Sequence, residues 1–266
     1  MSGRAVFGLH AVRVLVRTRP TSISEVVLSE RRRDGRTLAL ERECEQRGVE
    51  VRKTSGRELE AIVPEAVHQG VLAVLEERPG EGDRGREASG WKRLVETFRA
   101  YRDAPAGGGA ALALALDGVQ DPHNLGACVR SAAAAGAQAV LTRRRGSVGV
   151  NSTVIKVATG ATEYTPVIPV GRFSRALTDL ARTGATVIGA DPGSDRPLWE
   201  VDLTGSVVIV LGGEHRGLRR LTTESCDWLV GIPMAGPVES LNVSVAAGIC
   251  LFEVLRQRHE ARTRLA

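Results

Sequence analysis

The sequence predicts an α/β protein, with a C-terminal domain around a mostly parallel sheet and a smaller α/β unit before it. Three observations carry this. Apolar residues make up 42% of the 266-residue chain but aromatics only 3%, so the core must come from Ala, Val, Leu and Ile, which suit a parallel sheet covered by helices. Short apolar runs alternate with helical periodicity through the second half, the pattern of repeated strand–helix units. Residues 78–90, dominated by Gly, Arg and Glu, have the composition of a linker. The domains are therefore drawn at 1–77, at 78–109 for a linker carrying a helix, and at 110–266.

In the first unit, Phe7 to Val16 reads as a helix, with Leu9, Val12 and Val16 at helical spacing. Ile23 to Leu28 reads as a strand. Thr37 to Arg47 reads as a helix stopped by Gly48. A short strand at Val49–Val51, a helix at Gly56–Ile62 and a strand at Val71–Leu75 complete the unit. After the linker, a helix is expected from about Trp91 to Tyr101, then a loop from Asp103 to Gly109. Strands are expected at Ala111–Leu116, Ala139–Leu141, Val167–Val170, Ala185–Gly189, Val207–Leu211 and Trp228–Ile232, with helices between most of them. No repeat of fixed period is present.

Charge and cysteine usage narrow the function classes. The net charge is +5 and the isoelectric point about 9.4, which favours a polyanionic partner. Only Lys53, Lys92 and Lys156 are lysines, and the other cations are Arg, which binds phosphate bidentately. A GC-rich genome would also raise Arg and Ala together. The low aromatic content argues against a base-stacking platform as the main RNA-binding device. Cys44, Cys128, Cys226 and Cys250 are scattered without a CxxC pair or a Cys/His cluster. No metal site or disulfide framework is expected, and the reducing cytoplasm is the natural compartment. Neither a signal-peptide core nor an apolar run of the roughly 18 residues that span a bilayer is present.

Three stretches just after apolar strands stand out, where α/β sheets place their ligands. The first runs from Leu116 through Asp121, Pro122, Asn124 and Arg130 to Ala132. Asp121 and Pro122 suit an N-cap and first-turn proline. The second is a strand ending at Leu211, then Gly212, Gly213, Glu214, His215, Arg216 and Gly217. It fits neither the GxGxxG fingerprint nor a phosphate-binding P-loop, which excludes the common nucleotide-enzyme patterns. The third is Ile232-Pro233-Met234 followed by Ser240-Leu241-Asn242-Val243-Ser244. Ser240 or Asn242 would cap a long helix whose Leu241, Val245, Ile249, Phe252 and Leu255 form one apolar stripe. Taken singly, each stretch could be an ordinary turn.

Taken together, in order and at this spacing, the three stretches resemble the signature motifs of the SpoU family of RNA 2′-O-methyltransferases, within the SPOUT superfamily. The N-terminal unit, with Phe7-Gly8-Leu9-His10-Ala11-Val12 and Val67-His68-Gln69-Gly70-Val71, is similar to the substrate-binding domain of the subfamily that methylates guanosine in 23S rRNA. The departure is greatest in the linker. The resemblance implies a C-terminal SPOUT domain with a deep trefoil knot, a homodimer built through that domain, and S-adenosylmethionine (SAM) as cofactor. It implies cofactor contacts from Leu211, Gly212, Gly213, Ile232, Met234 and Leu241. It implies catalytic roles for Asn124, Arg130, Glu214, Ser240 and Asn242, with RNA as the partner.

An Arg is a poor literal base, because a guanidinium stays charged in proteins. A charge-stabilising role for Arg130 at the ribose–phosphate is the easier expectation, with Glu214 orienting it through an ion pair. His123 and His215 flank the motifs and are read as incidental. Arg143-Arg144-Arg145 and Arg216, Arg219 and Arg220 are candidate phosphate contacts. Other readings stay open: a tRNA methyltransferase, an rRNA methyltransferase conferring antibiotic resistance, or a non-catalytic RNA-binding assembly factor on the same fold.

Overall fold

A computed structural model describes residues 5–32, 34–62, 69–76, 83–104, 109–214 and 216–265. Val67, His68 and His215 lie outside the described residues, as does the part of the expected linker before residue 83. The chain forms two compact units, Met1–Gly82 with Thr159–Glu163, and Asp83–Ala158 with Tyr164–Ala266.

The first unit contains β1 (Ala5–Phe7), α1 (Leu9–Thr18), β2 (Ile23–Ser29), α2 (Gly35–Gln46), β3 (Val51–Thr54), α3 (Gly56–Ile62) and β4 (Val71–Leu75). Its sheet runs β1-β4-β2-β3, with β1 and β2 antiparallel to β4, and β3 parallel to β2. The helix expected from Phe7 begins instead at Leu9. Phe7 pairs with Leu72 in the sheet, and Gly8, at φ 94°, turns the chain while its N–H donates to Val71 O. Only glycine takes that φ without strain. Asp34 caps α2 by accepting the Arg36 and Thr37 N–H groups, which satisfies two donors a helix start leaves open. The core joins Val12, Leu15 and Val16 of α1 and Leu40 and Cys44 of α2 to Val26 and Leu28 of β2.

The second unit begins with α4 (Asp83–Arg102), followed by β5 (Leu112–Asp117), α5 (Pro122–Ala134), β6 (Ala139–Arg143), α6 (Ser152–Ala158) and β7 (Val167–Val170). Next come α7 (Phe173–Ala181), β8 (Thr186–Ala190), β9 (Val207–Gly212), α8 (Arg220–Thr223), β10 (Trp228–Val230) and α9 (Val243–Leu265). All six expected strands are present. They form one sheet in the order β10-β8-β9-β5-β6-β7, and every pairing is parallel. Central β5 is buried at every residue, as a strand covered on both faces must be. One face packs Leu94 and Phe98 of α4 and Phe173, Leu177 and Leu180 of α7 against Ala113, Leu141 and Val208. Truncating a fully buried Leu such as Leu177 to Ala typically costs about 2–5 kcal/mol.

Helix α4 starts eight residues before the expected Trp91. Gly85 and Gly90 weaken its intrinsic propensity, but tertiary contacts hold it. A Cβ on Gly90 would only just touch Ile168 of β7, and Glu87 pairs with Arg144 at 2.6 Å. The α9 stripe exists but faces solvent. Val245, Ile249 and Phe252 are 50%, 38% and 51% exposed, while Val243, Ala247, Cys250, Leu251 and Val254 form the buried face.

Candidate functional site

Parallel strands end together, and the loops leaving the carboxyl ends of β8, β9 and β10 meet the start of α9 in a cleft of about 490 Å³. That volume lies within the usual range of small-ligand sites. The expected cofactor residues Leu211, Gly212, Gly213, Ile232, Met234 and Leu241 all line it, with Glu214, Ser240 and Asn242. Asp191, Pro192, Val230, Glu239 and Ala246 line it too, and sequence reasoning missed them. Asp191 and Pro192 follow directly on β8, so the same strand-end rule that flagged the other loops pointed at them.

Polar side chains from three distant stretches join at the rim. Asn124, in the first turn of α5, donates through Nδ2 to Glu214 Oε1 at 2.8 Å. Its Oδ1 accepts from Asn242 Nδ2 at 3.0 Å. Asn242 in turn caps α9, its Oδ1 accepting the Ser244 N–H at 2.8 Å and the Ser244 hydroxyl at 2.7 Å. Asp121 caps α5 by accepting the His123 N–H at 2.8 Å, which fixes the turn that presents Asn124. Glu214 Oε2 bonds to no described residue, so one carboxylate oxygen is left for a ligand.

Arg130 stands apart. It is exposed on α5 and lines no part of the cleft. Six residues along a helix is a rise of about 9 Å and a turn of roughly 240° from Asn124, so the two side chains leave different faces. The expected Arg130–Glu214 ion pair is absent among the described residues, and Glu214 accepts from Asn124 instead. Cys128, on the same helix, is no nucleophile. Burial, reinforced by the Glu214 charge, pushes its thiol up to about 12.

The glycines of the second motif also make room for the chain's own backbone. A Cβ on Gly212 would lie 2.1 Å from Gly217 C, and one on Gly213 would lie 2.6 Å from Gly118 O. The space is already filled by the chain's own backbone. The Arg clusters are also largely committed. Arg143 pairs with buried Asp117 at 3.0 Å, Arg144 with Glu87, and Arg220 with Glu224.

The lining suits a cationic ligand. Asp191, Glu214 and Glu239 face it, and no Lys or Arg is among the described residues that line it. A pyrophosphate-bearing dinucleotide would meet three carboxylates and no compensating cation, whereas a sulfonium with an ammonium group meets complementary charge. Among the described residues no helix is long and apolar enough to cross a membrane, and no cluster of His, Cys, Asp and Glu could hold a metal ion.

Comparison with known proteins follows the same division. The profile of the SpoU rRNA Methylase family matches residues 111–252, and that of RNA 2′-O ribose methyltransferase substrate binding matches residues 5–79. The 23S rRNA (guanosine-2′-O-)-methyltransferase RlmB of Pseudomonas aeruginosa is 44% identical over 253 residues, covering 95% of this chain and 96% of its own. A crystal structure of an RNA 2′-O ribose methyltransferase is 27% identical with a TM-score of 0.66, covering 96% of this chain and 88% of that one. The SpoU methyltransferase AviRb from Streptomyces viridochromogenes, solved with AdoMet, shares the fold at 21% identity and a TM-score of 0.71, covering 96% and 90%.

Proposed function

Because the chain belongs to the SpoU rRNA methylase family, we propose that it methylates the ribose 2′-OH of a guanosine in 23S rRNA with SAM as donor. The observation that carries this reading is the row Asn242–Asn124–Glu214, hydrogen-bonded along the rim of a cleft whose described lining is acidic and apolar. SAM, when bound, supplies an already activated methyl group, so the protein's task is alignment and management of the hydroxyl proton.

The roles divide by position. Leu211, Ile232, Met234 and Leu241 would bury the apolar parts of the cofactor, with Gly212 and Gly213 shaping the wall. Asp191 and Glu239 would face its positive charge. Asn124, held at both ends of its amide, is a positioning group rather than a base. Glu214 keeps one oxygen free to accept from the ribose, and Ser240 lines the same cleft. Arg130 would hold the neighbouring phosphate and stabilise the forming alkoxide, reaching the RNA at a site in a second subunit.

The homodimer belongs to this reading. A row of exposed apolar residues on a long helix, Val245, Ile249 and Phe252, is a surface that a second copy of α9 would cover. The trefoil knot implied by the family belongs to this reading too. The N-terminal unit, matched by the substrate-binding profile, would recruit the rRNA. The test is transfer of labelled methyl from SAM to 23S rRNA by the purified protein, with mapping of 2′-O-methyl sites in cells with and without it. One guanosine losing its methyl in the deletion strain is expected. An unchanged methylation map, with no transfer by the pure protein, overturns the reading.

A further inference from the structure

A second cleft, of about 470 Å³, opens farther along α9, with Tyr101, Gln138, Arg258, His259 and Arg262 in its wall and, among the described residues, no Asp or Glu. Helix α9 links the two clefts: Ala246 lines the first and Arg258 the second. At about 1.5 Å per residue the helix carries them roughly 18 Å apart.

Arg258 is the unusual member. Its Nη1 donates to Ala110 O at 3.0 Å, and its Nη2 to Ala111 O at 2.8 Å and Gly205 O at 2.7 Å. All three acceptors are neutral carbonyls. Its Nε is buried and finds no acceptor among the described residues. No described carboxylate pairs with it, and one helical turn onward stands a second cation, Arg262. Burial, then the Arg262 charge, lowers the pKa of Arg258 below its ordinary value. Arg256 on the same helix provides the contrast. It pairs with Glu253 at 2.7 Å and Glu260 at 2.5 Å. The helix thus neutralises Arg256 and leaves the two cations in the cleft wall without a counter-charge among the described residues. A partly buried charge with no carboxylate beside it is costly, and like charges four residues apart oppose the helix. A bound anion removes both penalties.

We propose that this cleft binds a phosphate of the RNA backbone, held between Arg258 and Arg262 with the Tyr101 hydroxyl as a further donor. The guanidinium fork of Arg262 matches phosphate geometry, Arg258 adds its charge and the one Nη1 hydrogen that its three carbonyl bonds leave over, and a few nucleotides of RNA cover the distance to the methyl-transfer cleft. The proposal rests on the reading of the chain as an RNA methyltransferase and adds a second anchoring point to it.

Arg262→Ala is the informative variant, because Arg262 makes none of the carbonyl contacts that tie α9 to the sheet. Two measurements test it. Inorganic phosphate, compared with chloride at matched ionic strength, should raise the melting temperature of the wild type more than that of Arg262→Ala. Binding of an rRNA fragment should weaken several-fold, with the slope of log K against log salt falling by about one for one lost phosphate contact, while SAM affinity is unchanged. A phosphate response without a change in RNA slope assigns the cleft to a free anion and overturns the backbone contact. Equal phosphate response and equal RNA slope in both proteins overturn the site altogether, leaving Arg258 a staple between α9 and the sheet. Failure of the wild type to methylate rRNA would strike the functional reading, and the phosphate measurement would still judge the cleft.

Discussion

The carboxylate of Asp117 accepts the main-chain N–H of Arg219 at 3.0 Å. The carbonyl of the same residue accepts the Gly213 N–H at 3.1 Å, so Asp117 fastens both ends of the loop that carries Glu214. Its side chain is fully buried and its charge is met by Arg143 at 3.0 Å and more loosely by Arg219 Nε at 3.7 Å. Asp117→Asn would set a neutral amide against two guanidiniums and weaken the clamp. A loss of about 2–3 kcal/mol in stability is expected from a charged hydrogen bond of this kind, with weaker SAM binding and lower turnover. In a Glu214→Gln background the same change should lower turnover much less, because both act through one loop. Chemical denaturation, calorimetry and a double-mutant cycle measure these. Wild-type SAM affinity and turnover in Asp117→Asn would rule out the clamp.

Arg130 tests whether the site is shared between subunits. Arg130→Ala and Arg130→Lys should both leave SAM affinity nearly intact, since the side chain lines no part of the cleft. Both should cut turnover, by on the order of a hundredfold or more for Ala, with Lys retaining more because it keeps the charge but loses the fork. Mixing Arg130→Ala protein with Glu214→Gln protein should restore about a quarter of wild-type activity if each site takes its Arg from the partner, because random exchange gives half heterodimers with one intact site each. No recovery on mixing would place Arg130 and Glu214 in the same subunit's site.

The first unit carries a pH-dependent tie. Arg17 and Arg13 hydrogen-bond to Glu43 and bring its carboxyl from 4.5 down to about 2. A depressed acid contributes stability above its unfolded value and loses it as the pH falls toward the folded one. The contribution should therefore be complete above about pH 4.5 and disappear toward pH 2. Glu43→Gln should lower the melting temperature near neutrality, and the gap to wild type should close on acidification through that window. A gap that stays constant with pH would mean that packing, not charge, accounts for the effect. Solvent screening keeps the effect modest.

The strands were legible because a parallel sheet buries continuous apolar runs, and Val207–Leu211 or Val167–Val170 can hardly be anything else. Asp121 and Gly48 were legible as helix punctuation because capping is local. The early start of α4 was not, because Gly85 and Gly90 argue against it locally and only Ile168 and Arg144, distant in sequence, argue for it. The same limit hid Asp117, whose partners lie 26 and 102 positions away. It also misdirected Glu214 toward Arg130, since helical phase alone does not say which face meets β9. The three motifs named the residues at the rim, and only folding could reveal that Asn124 is the link between Asn242 and Glu214.

The exposed row on α9 gives a prediction for assembly. Phe252 is 51% exposed and sits one turn after Ile249, on the face offered to a second copy. Phe252→Asp should convert a dimer at micromolar concentration into a monomer by light scattering, with the fold unchanged by circular dichroism, since the buried face of the helix is untouched. Turnover should fall with the dimer if the sites are shared. A wild-type protein that is already monomeric and active would dispose of the interface.

Gly212 separates two explanations of a glycine beside a ligand. If it only made room for cofactor, Gly212→Ala would weaken SAM binding and leave stability alone. The structure puts the added Cβ 2.1 Å from Gly217 C and 2.4 Å from Leu218 N, and these are backbone atoms that cannot rotate away. The loop from 213 to 219 must then move as a body, against the Asp117 clamp and the Gly217-to-Gly213 hydrogen bond at 3.1 Å. Overpacking of this kind costs about 1–3 kcal/mol, and the moving segment carries Glu214. Gly212→Ala should therefore lose stability in the absence of SAM and also weaken SAM binding. Gly149→Ala, with no atom within 4 Å of the new methyl, is the control expected to change neither. Denaturation without cofactor decides the matter: a Gly212→Ala protein as stable as wild type would return the glycine to the cofactor and remove the close approach of the Gly217 backbone as its cause.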